Sequence, residues 1–358
     1  MKKIILKLCI LSILCYLPIV IFNVLFDPWG VFRKKYSDRF VGVQERYIKT
    51  KHILVNRGQI KGVLFGSSRG DSINIRSLIG NQYYNYSYPT GVPEEFLEDM
   101  KDLYNMGVDL KQIIVSVDEI MFKVDVNARN NNVETFSYSS KHIPKIKKYL
   151  KFLFFNPSIN RLFFYRDEFL SGKKINFDIK SGCIFVKDRD KKIDENLETY
   201  KLDEKFTEPM RLESSVIDDI SRPNNAIKEI IAFCREHGIE LTIFISPTHP
   251  TTYFDLTNQK LIQNLRETLI GMTNYWDFSG INSVAINNAN YYDTSHYRLK
   301  IGDMILGRIF GIKDIIIPDD FGVYVTKENF EQHIIDIETN DKQYIDKYGK
   351  VPINFHKE

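Results

Sequence analysis

The chain opens on a long apolar run. Ile4 to Phe26 is broken only by Lys7, Ser12 and Asn23, and from Leu8 onward about enough residues remain to cross roughly 30 Å of hydrocarbon as a helix. A polar, basic connector follows from Arg33 to Arg39, and the pattern then changes to helix-period segments alternating with short buried strands. Gln44 to Gln59 carries Tyr47, Ile48, His52, Ile53 and Leu54 at near-helical spacing. Val63-Leu64-Phe65 reads as a buried strand stopping abruptly at Gly66-Ser67-Ser68, and Asp71 to Leu78 as a weak helix. Tyr83 to Tyr86 is a short strand. Glu94 to Met106 is a helix with Pro93 in its first turn, and Gln112 to Val117 a strand ending at Asp118. The rhythm resumes with a helix from Asn224 to His237, stopped by Gly238, and a strand from Ile239 to Ile245. A helix from Leu256 to Met272, a last strand at Tyr275–Phe278 and a helix from Leu299 to Phe310 complete it, with Phe321 to Tyr348 as an amphipathic tail. Short joints between strand and helix predict a three-layer α/β/α sandwich around a central parallel sheet.

Between about Asp125 and Ser215 the alternation stops. Lys141 to Phe155 and Ile159 to Leu170 suggest two helices joined at Asn156-Pro157, and the charged run from Ile184 to Tyr200 reads as a loop open to proteolysis. The block is therefore expected to be a mostly helical insertion or cap. Its Lys145, Lys147, Lys148 and Lys151 are either a solvated helix face or a contact for a membrane surface or polyanion. At the N-terminus, Lys2, Lys3 and Lys7 predict a cytoplasmic end and an uncleaved signal anchor over residues 1–29, with 30–358 outside. A cleaved signal peptide is the alternative; no small-x-small pair follows the run before Asp27-Pro28-Trp29-Gly30.

Composition changes this picture little. Over 358 residues, 43% hydrophobic and 13% aromatic content belong to a globular protein, and a formal charge of +3 gives no electrostatic reason to expect a nucleic-acid partner. Cys9 and Cys15 lie in the apolar run. Cys183 and Cys234 in the remainder are either a disulfide or two buried thiols. No ligand spacing suggests a metal, and no cofactor is expected.

Two segments carry candidate chemistry. Tyr291-Tyr292-Asp293-Thr294-Ser295-His296-Tyr297-Arg298 sets an Asp and a His on one short turn. The Asp293 carboxylate can then hold Nδ1–H of His296 and leave Nε2 to take a proton. Ser68, at a strand end behind Gly66, is the hydroxyl that such a base would activate. Taken alone, Gly66-Ser67-Ser68 reads as a turn capping the next helix and His296 as a satisfied polar histidine; their conjunction with Asp293 is what points to catalysis. Candidate oxyanion donors are the amides of Ser68 and Gly91. Arg69, Asp118 and His249 are candidate substrate-binding residues; Arg69 is alternatively a structural partner of Asp118, and His249 a plain loop histidine.

The order of these segments resembles the SGNH (GDSL-like) hydrolases. Gly66-Ser67-Ser68 matches that family's first block, with Ser67 in place of Asp, and Asp293-Thr294-Ser295-His296 its last. Asn85 to Gly91 occupies the second place, while Ser116-Val117-Asp118-Glu119 departs from the Gly-x-Asn-Asp of the third, putting an acceptor where an amide donor is expected. The resemblance spans roughly Gly62 to Gly311. It implies a flavodoxin-like α/β/α fold and a Ser68–His296–Asp293 triad working without a cofactor. The anchored layout is similar to the exported branch that includes alginate O-acetylation and teichoic acid D-alanylation proteins. That branch implies acyl-ester hydrolysis or O-acyl transfer on an envelope polysaccharide, with a membrane-bound acyltransferase as a further partner. A catalytically weak binding or scaffold subunit is the alternative.

Overall fold

The computed structural model describes residues 2–27, 31–32, 44–126, 138, 145–154, 163, 166, 170, 177–185, 187–209 and 220–349. They fall into two compact units, residues 1–52 with 126–179, and 53–125 with 180–358. The block expected as one insertion is thus divided: its first half groups with the N-terminal segment and its second half with the α/β body. The second helix expected at Ile159–Leu170 lies outside the described residues apart from isolated positions.

The first unit holds α1 (Lys2–Phe26), most of α2 (Glu45–Val55) and α5 (Lys145–Leu153); Tyr47 and Ile48 of α2 and Phe152 of α5 form a small core with Val31. Asn23 Nδ2 donates to the Leu153 carbonyl at 2.9 Å, tying α1 to the end of α5. Among the described residues no helix is long and apolar enough to cross a membrane.

The second unit is built on a six-stranded sheet: β1 (Gly62–Phe65), β2 (Tyr83–Asn85), β3 (Gln112–Val117), β4 (Glu240–Ile245), β5 (Tyr275–Asp277) and β6 (Val323–Val325), in the order β2-β1-β3-β4-β5-β6. The first five are parallel, with Phe65 beside Val115 and Val117 beside Ile245. β6 is antiparallel to β5, Asp277 facing Val323, so the sheet is mixed rather than wholly parallel. This edge strand hides in the segment that reads as an amphipathic tail: Val323-Tyr324-Val325 is too short to show a period, and the helix α12 (Phe330–Tyr348) supplies the rest of the pattern.

Helices α3 (Ile75–Leu78), α4 (Pro93–Asn105), α8 (Ser221–Glu236), α10 (Leu256–Ile270) and α11 (Leu299–Phe310) flank the sheet, with a single turn α9 (Pro250–Tyr253) after β4. The central strands are apolar on both faces because both are covered: every residue of β1 and β3 is buried. Leu64, Ile114, Phe244 and Phe278 join Ile301, Ile305 and Leu306 of α11 in one core. The charged run is not a loop. It forms α6 (Lys187–Glu195) and α7 (Leu197–Lys201), whose ion pairs Lys191–Glu195 and Lys201–Glu198 follow helical spacing. Cys183 and Cys234 are separate buried thiols.

The strand order decides where chemistry can sit. From β1 the chain goes to β2 on one side and then returns to β3 on the other, so the loops leaving the carboxyl ends of β1 and β3 diverge and open a crevice. Ser68 leaves the end of β1, and Asp118 that of β3.

Candidate active site

Ser67 to Gly70 turns sharply off β1, Gly70 N–H donating to the Ser67 carbonyl at 2.9 Å, and runs into a 3-10 turn at Gly70–Ser72. The buried Asn85, at the end of β2, braces this turn: its amide donates to the carbonyls of Gly70 at 2.7 Å and Ile73 at 2.8 Å. Ser67 points inward and donates to Asp118 Oδ2 at 2.5 Å, whereas Ser68 is partly exposed. The two adjacent serines have opposite fates because the turn directs consecutive side chains to opposite sides.

The second half of the site is the tip of a small hairpin. Tyr291 and Tyr297 form an antiparallel bridge, and Tyr292 N–H donates to the His296 carbonyl at 2.7 Å. Inside it, Asp293 Oδ1 accepts the backbone N–H of Ser295 and of His296, each at 2.8 Å. The same carboxylate lies 3.0 Å from His296 Nδ1 through both oxygens, and His296 Nε2 lies 2.9 Å from Ser68 Oγ. Burial pushes Asp293 up, but the bonds from His296 and from the backbone outweigh it and hold the carboxyl down at about 2. An ionised Asp293 fixes the imidazole with its proton on Nδ1, leaving the Nε2 lone pair on the Ser68 hydroxyl. Serine, imidazole and carboxylate, from positions more than two hundred residues apart, are thus brought into one hydrogen-bonded line.

The other expected residues fall differently. Arg69 is buried, and its guanidinium grips Glu119 through both nitrogens, Nη1 to Oε2 and Nη2 to Oε1, each at 2.6 Å. Asp118, its expected partner, is a secondary contact at 3.9 Å. Nε of Arg69 also donates to the Ser295 carbonyl and hydroxyl at 3.2 Å. One buried cation therefore joins the turn after β1, the turn after β3 and the hairpin of His296, leaving no face for a substrate. Burial disfavours charge on both carboxylates. The Arg69 fork overcomes this for Glu119, held below its ordinary value, while Asp118 is pushed above its own.

Asp118 accepts from Ser67 and, through Oδ1, from Ile120 N–H at 3.0 Å, so it serves the packing of the turn rather than a ligand. His249 is fully buried. It lies 2.8 Å from Asn288 Oδ1 through Nε2, accepts Thr251 N–H on Nδ1 at 3.2 Å, and stacks on Phe206. Burial lowers it to about 4, so it is a neutral structural imidazole. Gly91 closes a turn, its N–H donating to the Tyr88 carbonyl at 3.0 Å, and a Cβ there would lie 2.6 Å from the Gly66 carbonyl. Its amide is thus taken by the turn, and glycine is required for close packing beneath the Ser68 loop. Thr90, one residue earlier, has φ of 52°, a strained value for a β-branched residue. Ser68 N–H has no acceptor among the described residues, so of the two expected oxyanion donors it is the one left available.

Sequence reasoning missed the residues that hold the hairpin. Asp190 of α6 accepts Tyr292 OH at 2.8 Å and Arg298 Nε at 2.6 Å; Arg189 donates to the Tyr292 carbonyl at 2.7 Å; and Tyr200 OH donates to the Tyr291 carbonyl at 2.7 Å. Thr294 Oγ1 donates to the Glu208 carbonyl at 2.9 Å. The segment 189–208 is a strap across the loop of Asp293 and His296. Its charge pattern could have signalled helix; its partners could not be read from spacing. Among the described residues no group of three or more His, Cys, Asp or Glu side chains could hold a metal ion.

No protein-family profile matches the chain, and the comparison with curated proteins found no match. Among solved structures, one provisionally described as a platelet activating factor, from Streptococcus pneumonia, aligns over 75% of this chain and 92% of its own, with a TM-score of 0.38 and 10% identity. A likeness this distant carries no conclusion about activity.

Proposed function

We propose that this protein is a serine-dependent acyl-ester hydrolase or O-acyltransferase of SGNH-like three-layer architecture, acting on an acylated polysaccharide of the cell envelope. The observation that carries the reading is the line Ser68 Oγ–His296 Nε2–Asp293, at 2.9 Å and 3.0 Å, at the carboxyl ends of the parallel strands beside the point where their order reverses.

In this mechanism Ser68 Oγ attacks the acyl carbonyl carbon while its proton passes to His296 Nε2. The imidazolium is held by Asp293, which remains ionised. The oxyanion is met by Ser68 N–H. Collapse breaks the ester C–O bond, and His296 returns its proton to the leaving alkoxide. The acyl group on Ser68 then passes to water, giving hydrolysis, or to a sugar hydroxyl, giving transfer; His296 takes the proton of the incoming hydroxyl and returns it to Ser68 Oγ as the acyl–Oγ bond breaks. The α1 helix, with Lys2 and Lys3 in its first turn, would keep its N-terminal end cytoplasmic and the body outside the membrane in this reading. The polysaccharide and any membrane-bound acyltransferase partner rest on the sequence resemblance alone.

The test is labelling of the folded protein by a fluorophosphonate probe. Ser68 is expected to be modified, and Ser68→Ala or His296→Ala to abolish modification. Absence of labelling on folded wild-type protein would overturn the enzyme reading. A second reading, a binding or scaffold subunit, is favoured by one observation: Gly91 N–H is engaged in its turn and Asp118 is an acceptor, leaving fewer oxyanion donors than a strong esterase needs. That reading predicts glycan binding without labelling.

A further inference from the structure

The helix α5 has no part in the chemistry proposed above. One side of it is turned into the core of its unit: Phe152 is fully buried, packed edge-on to Tyr47, and Tyr47 OH lies 3.2 Å from Tyr149 OH. The next stripe around the helix, at i, i+4 and i+8, is Ile146, Leu150 and Phe154, and these remain 71%, 46% and 47% exposed. A single exposed leucine is ordinary, but three large apolar side chains on one line are a surface awaiting a partner. Beyond the stripe come Lys147 and Lys151, and the helix has no acidic residue. Phe154 lies edge-on to Tyr16 of α1 and, with Ser12, Tyr16, Leu17 and Val20, lines an open apolar recess of about 630 Å³.

What covers this face is indicated by its continuation onto α1. Ile4, Ile5, Leu11, Leu14, Leu17, Ile21, Val24 and Leu25 are all exposed, and all but Ile5 lie along one broad face of that helix. A helix whose sequence is apolar on every side has no aqueous face; its solvent is a protein core or lipid, and among the described residues no core surrounds it. A stripe of large apolar residues flanked by lysines is the pattern of a helix lying in a bilayer interface.

We propose that α5 is a membrane-interface helix that binds anionic phospholipid. An acyl chain occupies the recess between Phe154 and α1, Ile146 and Leu150 lie at the boundary of headgroups and acyl chains, and Lys147 and Lys151 meet the headgroup phosphate. This rests on α1 lying in the bilayer and is independent of the ester chemistry.

The test uses the full chain with its cysteines replaced, reconstituted in vesicles of phosphatidylcholine and phosphatidylglycerol, with a bimane label at Leu150→Cys. Quenching by spin-labelled lipid of either headgroup is measured, alongside probes at Leu14→Cys in α1 and Ile316→Cys, an exposed site far along the chain. The expected result is quenching at positions 14 and 150 but not 316. Spin-labelled phosphatidylglycerol should quench at 150 more strongly than spin-labelled phosphatidylcholine, by roughly fivefold for each lysine at the surface. In the Lys147→Glu, Lys151→Glu double variant that preference should disappear. Quenching at 14 with none at 150 overturns the proposal while leaving the anchor intact, and assigns the stripe to a protein partner. Equal quenching by both lipids, unchanged in the double variant, overturns the anionic-lipid assignment. Quenching at neither position removes both the anchor and the interface helix.

Discussion

Asp293 shows how much a single turn can arrange. It accepts two backbone amides and the imidazole within four residues, so it is ionised and its orientation is fixed before any substrate arrives. Its depressed value of about 2 lies below the ordinary 3.8, so its contribution to stability is fully present above about pH 4 and is lost as pH falls through about 2. Asp293→Asn would present an amide N–H to Nδ1 and leave His296 protonated on Nε2, unable to act as a base. Ester turnover should fall by roughly 10⁴-fold, as it should for Ser68→Ala and His296→Ala, with melting temperatures near wild type. A large common fall in melting temperature would instead mark the three as a structural cluster. Arg69 behaves in the opposite way: Arg69→Ala strands the buried Glu119 and should cost roughly 3–5 kcal/mol in denaturant unfolding. Two further groups titrate in one window with opposite signs. His249, lowered to about 4 from 6.5, loses stability as pH falls from 6.5 towards 4. Asp341, raised by burial from 3.8 to about 6, gains stability over nearly the same fall. Asp341→Asn should therefore expose an acid-side loss on the order of 3 kcal/mol between pH 7 and pH 4, while His249→Gln should remove it. Equal pH profiles for the two variants would contradict these assignments.

At the scale of elements, the hairpin of Asp293 and His296 depends on a neighbour more than on itself. Its own backbone bonds set the local geometry of Asp293 and His296, but its height above Ser68 is set by α6, α7 and the buried Arg69. Asp190→Ala removes the acceptor for both Tyr292 and Arg298. A displacement of about 1 Å at a reacting centre can cost roughly 10²-fold in rate, so kcat for a small ester should fall by that order with the fold retained. If Asp190→Ala leaves kcat unchanged, the strap is a passive cover. The same contacts predict that limited proteolysis spares Lys187 to Lys192, because unwinding α6 would break the Asp190 and Arg189 bonds to the hairpin. First cleavage within this run would show that the strap opens easily.

For the whole molecule, the proposed function gives the α/β body and the apolar N-terminal helix separate tasks. A serine–histidine–aspartate line needs no bilayer, so a chain beginning near Tyr36 should turn over a small soluble acetyl ester at close to the full rate. In cells, exporting that chain without its tether should restore only part of any envelope modification, because tethering raises the local concentration of membrane-made substrate. Full restoration would show that export alone is sufficient.

The sequence by itself determined the alternation of helices and strands, the strand ends bearing Ser68 and Asp118, and the Asp-x-x-His turn. These depend on local period and on residues three or four apart, where physical constraint is short-range. It named Ser68 as the nucleophile, but it also named Asp118 as the partner of Arg69 and Gly91 as a free amide donor, and the fold pairs Arg69 with Glu119 and the Gly91 amide with the Tyr88 carbonyl. Those pairings depend on which groups meet in the folded chain. The fork to Glu119 over Asp118, one residue away, was decided by the direction in which the turn after β3 points the two side chains. The antiparallel β6 and the strap over the hairpin were likewise decided only by tertiary pairing. A three-residue strand has no period of its own, and a charged helix acquires a function only when Tyr292 and Arg298 are brought against it.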